Sequence, residues 1–116
     1  MISINNIAMN LNTEFLGRKI QYIDKTTSTN DLAWDFFNNN APEGTLIITN
    51  NQINGRGRRN SKWSSTLNKS LTFSFLLIPN KNLERLSLLP LLTGISIVKG
   101  IQNITKVELG LKWPND

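Results

Sequence analysis

The chain has 116 residues, of which 39% are apolar, and this suffices for one small domain with a modest core. It contains neither cysteine nor histidine, which excludes disulfides and thiolate zinc sites and argues against a histidine-based catalytic triad. The formal net charge of +5 suits an anionic small ligand or nucleic acid as a partner.

The apolar patterning predicts a soluble cytoplasmic protein with no membrane partner. A signal peptide has a basic start and an apolar core region, and residues 1–12 have neither. The most apolar stretch, residues 83–98, is interrupted by Pro90, Thr93 and Gly94.

The first half of the chain predicts a strand, a helix and a second strand. Residues 1–18 are polar and weakly patterned, and residues 19–24 then have the apolar side chains of a short strand. Ser28 or Thr29 is suited to cap a helix that continues to about residue 39, with Asp31 in its first turn. The apolar run within residues 45–50 predicts a strand that is buried on both faces.

The second half predicts a strand, a helical segment and a last strand. Residues 70–79 alternate like a core strand. Asn80 or Asn82 begins the helical segment, in which Pro90 either introduces a kink or starts a new helix that continues to about residue 103. The leucine and isoleucine side chains of this segment are expected in the core. Residues 107–113 alternate again and predict a strand with one buried face.

The order of these elements predicts an α+β fold in which helices cover one side of a mixed sheet. The loop before the strand at residues 70–79 contains Gly55-Arg56-Gly57-Arg58-Arg59. Glycine permits a positive φ and a close approach to a ligand, and arginine supplies permanently charged planar donors. In an extended stretch Arg56 and Arg58 lie on the same side and hold one anionic group together, whereas Arg59 points away. This pattern favours phosphate binding, and a solvated basic turn is the alternative.

Lys112 is the second candidate for chemistry. Pro114 restricts Trp113 to extended backbone and ends the last predicted strand, which places Lys112 at a strand tip. A rigid scaffold can direct an ammonium group at such a position into a cleft. An ordinary exposed strand lysine is the alternative.

Four stretches together resemble the catalytic domain of biotin protein ligases, the enzymes that biotinylate carrier domains of biotin-dependent carboxylases. They are Ser28-Thr29-Asn30, Gln52 ahead of the arginine motif, Lys62-Trp63 after it, and Lys112-Trp113-Pro114-Asn115-Asp116. The similarity spans residues 11–116, and the element order agrees with the family's mixed sheet, which resembles that of class II aminoacyl-tRNA synthetases.

The resemblance implies a two-step ligase reaction that uses biotin, ATP and Mg2+. Biotin and MgATP form biotinyl-5′-AMP and pyrophosphate, and biotin then passes to a lysine of a biotin carboxyl carrier protein. Lys112 and Arg58 would be catalytic. The biotin-binding residues implied are Ser28, Thr29, Asn30, Gln52, Arg56, Gly57, Arg58 and Lys112, and those for ATP or the adenylate are Arg56, Arg58, Arg59, Trp63, Lys112 and Asn115. Ser28 and Thr29 are also suited to mere helix capping.

Compared with the family, residues 1–116 are expected to be a partial catalytic domain, truncated at its C-terminus. An N-terminal winged-helix domain and a C-terminal SH3-like barrel are not expected, and neither is DNA as a partner. Asn60 stands where the family usually has glycine. The isolated chain is either active or an inactive fragment, and exposed sheet edges favour a homodimer as a further hypothesis.

Two other functions remain open from the sequence. A lipoate or octanoate ligase-like acyltransferase would have a similar fold and a different acyl pocket. A basic nucleic-acid-binding module would use the arginine motif and Trp63, and its affinity would fall steeply with salt.

Overall fold

A computed structural model describes residues 2–80 and 82–112, and the chain divides into two compact units, residues 1–78 and 79–116. Over its described residues, 2–78, the first unit holds two helices, five strands and one 3-10 turn. In chain order these are α1 (Ile4–Asn10), β1 (Ile20–Thr26), α2 (Thr29–Asn38), β2 (Leu46–Gln52), β3 (Gly55–Arg56), the 3-10 turn (Arg58–Asn60), β4 (Lys62–Trp63) and β5 (Thr72–Phe75).

The main sheet of this unit has the strand order β1-β2-β5 and is mixed. Strand β2 pairs in parallel with β1 and antiparallel with β5. As the central strand, β2 forms the core, with relative exposures of 7% at Leu46, 0% at Ile47 and 2% at Ile48. Burial of successive residues means that both faces are covered here, which confirms the prediction for this strand.

The two faces of the sheet differ in polarity. Ile47 pairs with Ser74, so these two side chains share one face, and the hydroxyl of Thr29 from α2 contacts Ser74 there. The opposite face carries Leu46, Ile48, Phe73 and Phe75. Together with side chains from the start of α1, this face lines an open apolar groove of about 460 Å³.

Helix α2 begins as the sequence predicts. Ser28 is its N-cap, and the Ser28 hydroxyl oxygen accepts a hydrogen bond from the backbone N–H of Asp31 at 3.4 Å. Leu32, Ala33 and Phe36 are half-buried on the side that faces the protein. The helix therefore places residues 28–31 at its N-terminal end, next to the sheet.

Helix α1 is not predicted by the sequence, and β5 is shorter than the predicted strand at residues 70–79. Ser3 caps α1 by accepting a hydrogen bond from the N–H of Asn6 at 3.3 Å. This helix has only seven residues and is rich in asparagine, a weak helix former, so its apolar period is too short to recognise. Pairing extends beyond β5 through Leu76, whose N–H donates to the carbonyl of Thr45 at 2.9 Å.

In the second unit the helical segment forms two helices, α3 (Leu83–Leu86) and α4 (Leu89–Ile104). Asn82 caps α3, and Pro90 lies in the first turn of α4, which confirms the alternative in which a new helix starts there. The prediction that the apolar side chains of this segment lie in the core is wrong for the described residues, since neither helix contains a buried residue. Two helices alone do not enclose an interior.

The stretch Leu83–Ile104, which contains α3 and α4, is also long and apolar enough to cross a membrane, and none of its most apolar 18-residue window is buried. Core helices of soluble proteins meet the same criterion, so length and composition do not distinguish the two cases.

The last predicted strand, residues 107–113, is wrong over the part that the structure describes. Residues 107–112 have no strand assignment in the part of the chain that the structure describes. Alternation describes a strand only where another strand supplies hydrogen bonds. Trp113 lies outside the described residues, and so does the following Pro114-Asn115-Asp116 segment.

Candidate ligand-binding site

Five residues from three elements form a polar cluster where α2 meets the sheet. They are Ser28, Thr29, Asn30, Gln52 and Ser74, and we call this set the polar cluster. The backbone N–H of Thr29 donates to Oε1 of Gln52 at 2.9 Å. The hydroxyl oxygens of Thr29 and Ser74 lie 2.8 Å apart, and the Ser74 hydroxyl donates to Oδ1 of Asn30 at 2.6 Å.

These contacts fix the direction of the hydroxyl protons. Ser74 has one proton and donates it to Asn30, so Thr29 donates the hydrogen bond between the two hydroxyls. The longer contact from the Thr29 hydroxyl to Gln52, 3.3 Å, cannot then be made at the same time. The Thr29 hydroxyl oxygen is left with acceptor capacity, although the residue is only 3% exposed.

Ser28 can donate a hydrogen bond, whereas Thr29 can accept one. Its hydroxyl oxygen accepts from the Asp31 N–H, and the residue is 1% exposed. Among the described residues no hydrogen bond donated by this hydroxyl is found, so its proton is available to a ligand acceptor. An adjacent donor and acceptor, both nearly buried, suit an uncharged group that carries both functions, such as a urea.

Gly55 allows Gln52 to reach this position. A Cβ atom at residue 55 would lie 2.3 Å from Nε2 of Gln52 and 2.4 Å from the backbone oxygen of Trp63. Space for the Trp63 backbone oxygen and the Gln52 amide is therefore the reason for glycine here. The motif glycines do not use the positive φ that glycine permits, and the positive φ angles of this segment occur at Arg59 (52°) and Asn60 (63°). Asn60 thus adopts the left-handed conformation that asparagine tolerates.

Residues 55–63, which we call the arginine loop, close on themselves. Strands β3 and β4 pair Gly55 with Trp63, and the Gly57 N–H donates to the Ser61 carbonyl at 2.7 Å. The guanidinium of Arg56 forms an ion pair with the carboxylate of Asp31 in the first turn of α2. The extended stretch ends at Gly57, because Arg58 begins the 3-10 turn. Strand alternation therefore ends at Gly57 and no longer predicts the direction of the Arg58 side chain.

The remaining predicted site residues differ in position. Arg58 and Arg59 are exposed in the arginine loop, and Trp63 is 61% exposed, so its ring is not a packing anchor. Lys112 is exposed and belongs to the second unit. Its predicted role, like that of Asn115, which lies outside the described residues, stays a prediction.

Two residues of the site were not identified from sequence. The sequence indicates Asp31 only as an acidic residue in the first turn of α2, and Ser74 only as one position of the strand predicted at residues 70–79. A serine within the apolar alternation of residues 70–79 was the available signal for Ser74. Over residues 2–80 and 82–112, no group of three or more acidic, histidine or cysteine side chains is arranged to hold a metal ion.

Comparison with known proteins gives a consistent family. Residues 22–116 match the biotin/lipoate A/B protein ligase family. The "Bifunctional ligase/repressor BirA" of Bacillus subtilis is 36% identical over 99% of the chain, and the "Biotin--[acetyl-CoA-carboxylase] ligase" of Mycobacterium tuberculosis is 28% identical over 85% of it. The chain covers only 35% and 39% of the lengths of these two relatives.

Solved structures of similar fold indicate the same family. The biotin protein ligase from Aquifex aeolicus in complex with biotin and ATP superposes with a TM-score of 0.71 at 35% identity, over 85% of this chain and 40% of that one. The biotin acetyl coenzyme A carboxylase synthetase from Helicobacter pylori gives a TM-score of 0.63 at 31% identity, over 84% of this chain and 47% of that one. The predicted resemblance and the mixed α+β fold are confirmed, and the chain belongs to the biotin/lipoate A/B protein ligase family.

Proposed function

We infer that the protein is an ATP-dependent biotin protein ligase, which forms biotinyl-5′-AMP and transfers biotin to a lysine of a biotin carboxyl carrier protein. The observation that carries this proposal is the nearly buried Ser28-Thr29 pair beside Gln52, next to a loop with three arginines. The names of the relatives and the ligands of the Aquifex aeolicus structure support it.

The polar cluster suits the ureido ring of biotin. The Ser28 hydroxyl has a proton to donate to the ureido oxygen, and the Thr29 hydroxyl oxygen can accept from a ureido N–H. Because Ser74 and Gln52 hold Thr29 from two sides, this geometry is set before the ligand arrives. Lipoate has no ureido group, so these contacts favour biotin over lipoate.

The arginine loop suits the adenylation step. A carboxylate oxygen of biotin attacks the α-phosphorus of ATP while the bond from that phosphorus to the pyrophosphate oxygen breaks. Two anionic groups must approach each other, and cationic donors offset their repulsion. Arg56 and Arg58 supply such donors, and Lys112 is proposed to supply a third. Magnesium enters as MgATP, with the nucleotide phosphates as its main ligands.

The second step transfers the acyl group. The amine of a carrier lysine attacks the acyl carbon of biotinyl-5′-AMP, and AMP leaves with the electrons of the broken bond. The arginine loop would keep water from the mixed anhydride during this step. A cytoplasmic location and self-association through the outer strands of the sheet complete the proposal, and sedimentation equilibrium would measure the self-association.

The test is exchange of labelled pyrophosphate into ATP by the full-length protein, with biotin or lipoate as the acid. Exchange that requires biotin supports the proposal. Exchange with lipoate alone, or no exchange with either acid, would overturn it.

The polar cluster is tested by Thr29→Val, with Thr27→Val as the matched control, because Thr27 is exposed and lies two residues away. Loss of one neutral hydrogen bond of about 1 kcal/mol should raise the KM for biotin by roughly fivefold or more in Thr29→Val. Thr27→Val should resemble the parent protein. Equal KM values for the two variants would exclude the Thr29 hydroxyl from biotin recognition.

A further inference from the structure

The arginine loop has little intrinsic support. Its two strands have two residues each, and a ladder of this length is not stable by itself. Both Arg59 and Asn60 have left-handed backbone, which asparagine tolerates but which is unfavourable for arginine. Something outside the loop must therefore help to hold this conformation.

Among the described residues, one side-chain hydrogen bond or ion pair ties residues 56–64 to the rest of the first unit. It is the ion pair between Arg56 and Asp31, since the other hydrogen bonds of this segment lie within residues 55–63. The charges of the loop also make the contact with Asp31 stabilising. Arg56, Arg58, Arg59 and Lys62 repel one another, and Asp31 neutralises the first of them.

Asp31 is also well placed to act on ligand binding. It is the third residue of α2, directly after Thr29 and Asn30, and its backbone N–H is capped by Ser28. An acidic side chain at this position commonly turns back to the start of its own helix, whereas here the carboxylate contacts the loop. One short segment, residues 28–31, therefore contributes to the polar cluster and holds the loop beside it.

We propose that Asp31 is a positioning residue, which docks the arginine loop on the first turn of α2 before ligand binds by pairing with Arg56. Asp31 does not touch substrate in this role. Because the loop is already held in place, less conformational entropy is lost from it when biotin and MgATP bind. The effect on catalysis rests on the proposed ligase function, whereas the docking of the loop does not.

Limited proteolysis of the full-length protein without ligand tests the docking. Trypsin cleaves after Arg58, Arg59 and Lys62, so the initial rate of these cleavages reports how often the loop opens. Both partners of the pair are partly exposed, at 61% for Arg56 and 42% for Asp31. We expect Asp31→Asn to raise the rate by roughly two- to fivefold, an effect that salt reduces.

A double-mutant cycle separates the ion pair from any effect on the helix itself. Once Arg56 is replaced in Arg56→Gln, Asp31→Asn should not accelerate cleavage further. Asp35→Asn is the matched control, because it removes the same charge one turn later on α2, and it should leave the cleavage rate unchanged. Multiplying effects in the double variant, or equal rates for Asp31→Asn and Asp35→Asn, would overturn the proposal.

A kinetic arm tests the positioning role. In biotin-dependent pyrophosphate exchange, Asp31→Asn should raise the KM for biotin severalfold with kcat retained, and Asp31→Glu should recover most of the loss. A fall in kcat with KM unchanged would contradict pre-docking. Absence of exchange in the parent protein would remove the ligase proposal, and the proteolysis cycle would still decide whether Asp31 docks the loop.

Discussion

Gly55→Ala is the most direct test of how the polar cluster is built. The added methyl group would lie 2.3 Å from Nε2 of Gln52 and 2.4 Å from the backbone oxygen of Trp63. The Gln52 amide can rotate away, but it then loses its hydrogen bond to the N–H of Thr29. The Trp63 oxygen is part of the pairing between β3 and β4 and can move only with the backbone.

The cost follows from these two contacts. Strain from the overpacked methyl group is about 1 to 3 kcal/mol, and the lost hydrogen bond adds about 1 kcal/mol. Replacing glycine by alanine also restricts the unfolded chain, which offsets about 0.4 to 1 kcal/mol. We therefore expect Gly55→Ala to reduce the free energy of unfolding by about 1 to 3 kcal/mol.

Gly57→Ala is the matched control within the same motif. Its φ is −96°, which any residue adopts, and the nearest atom to an added Cβ is the Ser61 oxygen at 3.3 Å. The Ser61 oxygen must move by only a few tenths of an ångström, so this variant should be much less destabilised than Gly55→Ala. Urea unfolding monitored by tryptophan fluorescence measures both variants, and amide exchange of Thr29 reports the displaced Gln52. A Gly55→Ala midpoint equal to that of Gly57→Ala, with Thr29 still protected, would refute the steric explanation.

Two further predictions concern stability and pH. Gly44 has a φ of +84°, and an added Cβ would lie 2.3 Å from the backbone oxygen of Phe15. Gly44→Ala should therefore lower the free energy of unfolding by about 2 kcal/mol or more. Gly100→Ala is the control and should not lower it, because no atom lies within 4 Å of an added Cβ there. Burial, then the hydrogen bond to Asp24 and its negative charge, raise the pKa of Tyr22 above 10.0. The resulting stabilisation is complete below pH 10.0 and is lost as the pH rises through the raised pKa. Tyrosinate absorbance of the single tyrosine should show a lower midpoint in Asp24→Asn, and an unchanged midpoint would exclude Asp24 as a cause.

Elements with strong local signals could be predicted from the sequence. Helix α2 has a capping serine, an acidic first turn and an apolar face, and each signal lies within about ten residues of the others. Strand β2 has a continuous apolar run, which is typical of a strand buried on both faces. Its central position in the sheet accounts for that burial.

The assembly of the polar cluster could not be predicted in the same way. Thr29 contacts Gln52 across 23 residues of sequence and Ser74 across 45 residues. Such contacts depend on the register of β5 against β2. A shift of one residue would move the Ser74 side chain to the other face of the sheet. The resemblance to biotin protein ligases identified four members of the cluster, whereas Ser74 required the pairing of Ile47 with Ser74.

The arginine motif shows why a correct motif can carry an incorrect physical explanation. The two glycines suggested positive φ angles, but Gly55 is required for space and Gly57 has an ordinary φ of −96°. The left-handed residues are Arg59 and Asn60. Local sequence reports which residue types occur, and only the packed neighbours show whether a glycine is needed for its backbone or for its missing side chain.

The two roles considered for Ser28, helix capping and ligand recognition, do not exclude each other. The cap uses one lone pair of the hydroxyl oxygen to accept from the Asp31 N–H. The same hydroxyl keeps its proton, and a ligand carbonyl oxygen can accept it. The capping hydrogen bond holds the Ser28 side chain in one rotamer. A ligand would bind the same rotamer, so helix stability and ligand recognition both depend on it. Ser28→Ala should therefore cost both helix stability, by about 1 kcal/mol, and biotin affinity. Loss of stability with unchanged biotin affinity would show that the hydroxyl serves the helix alone.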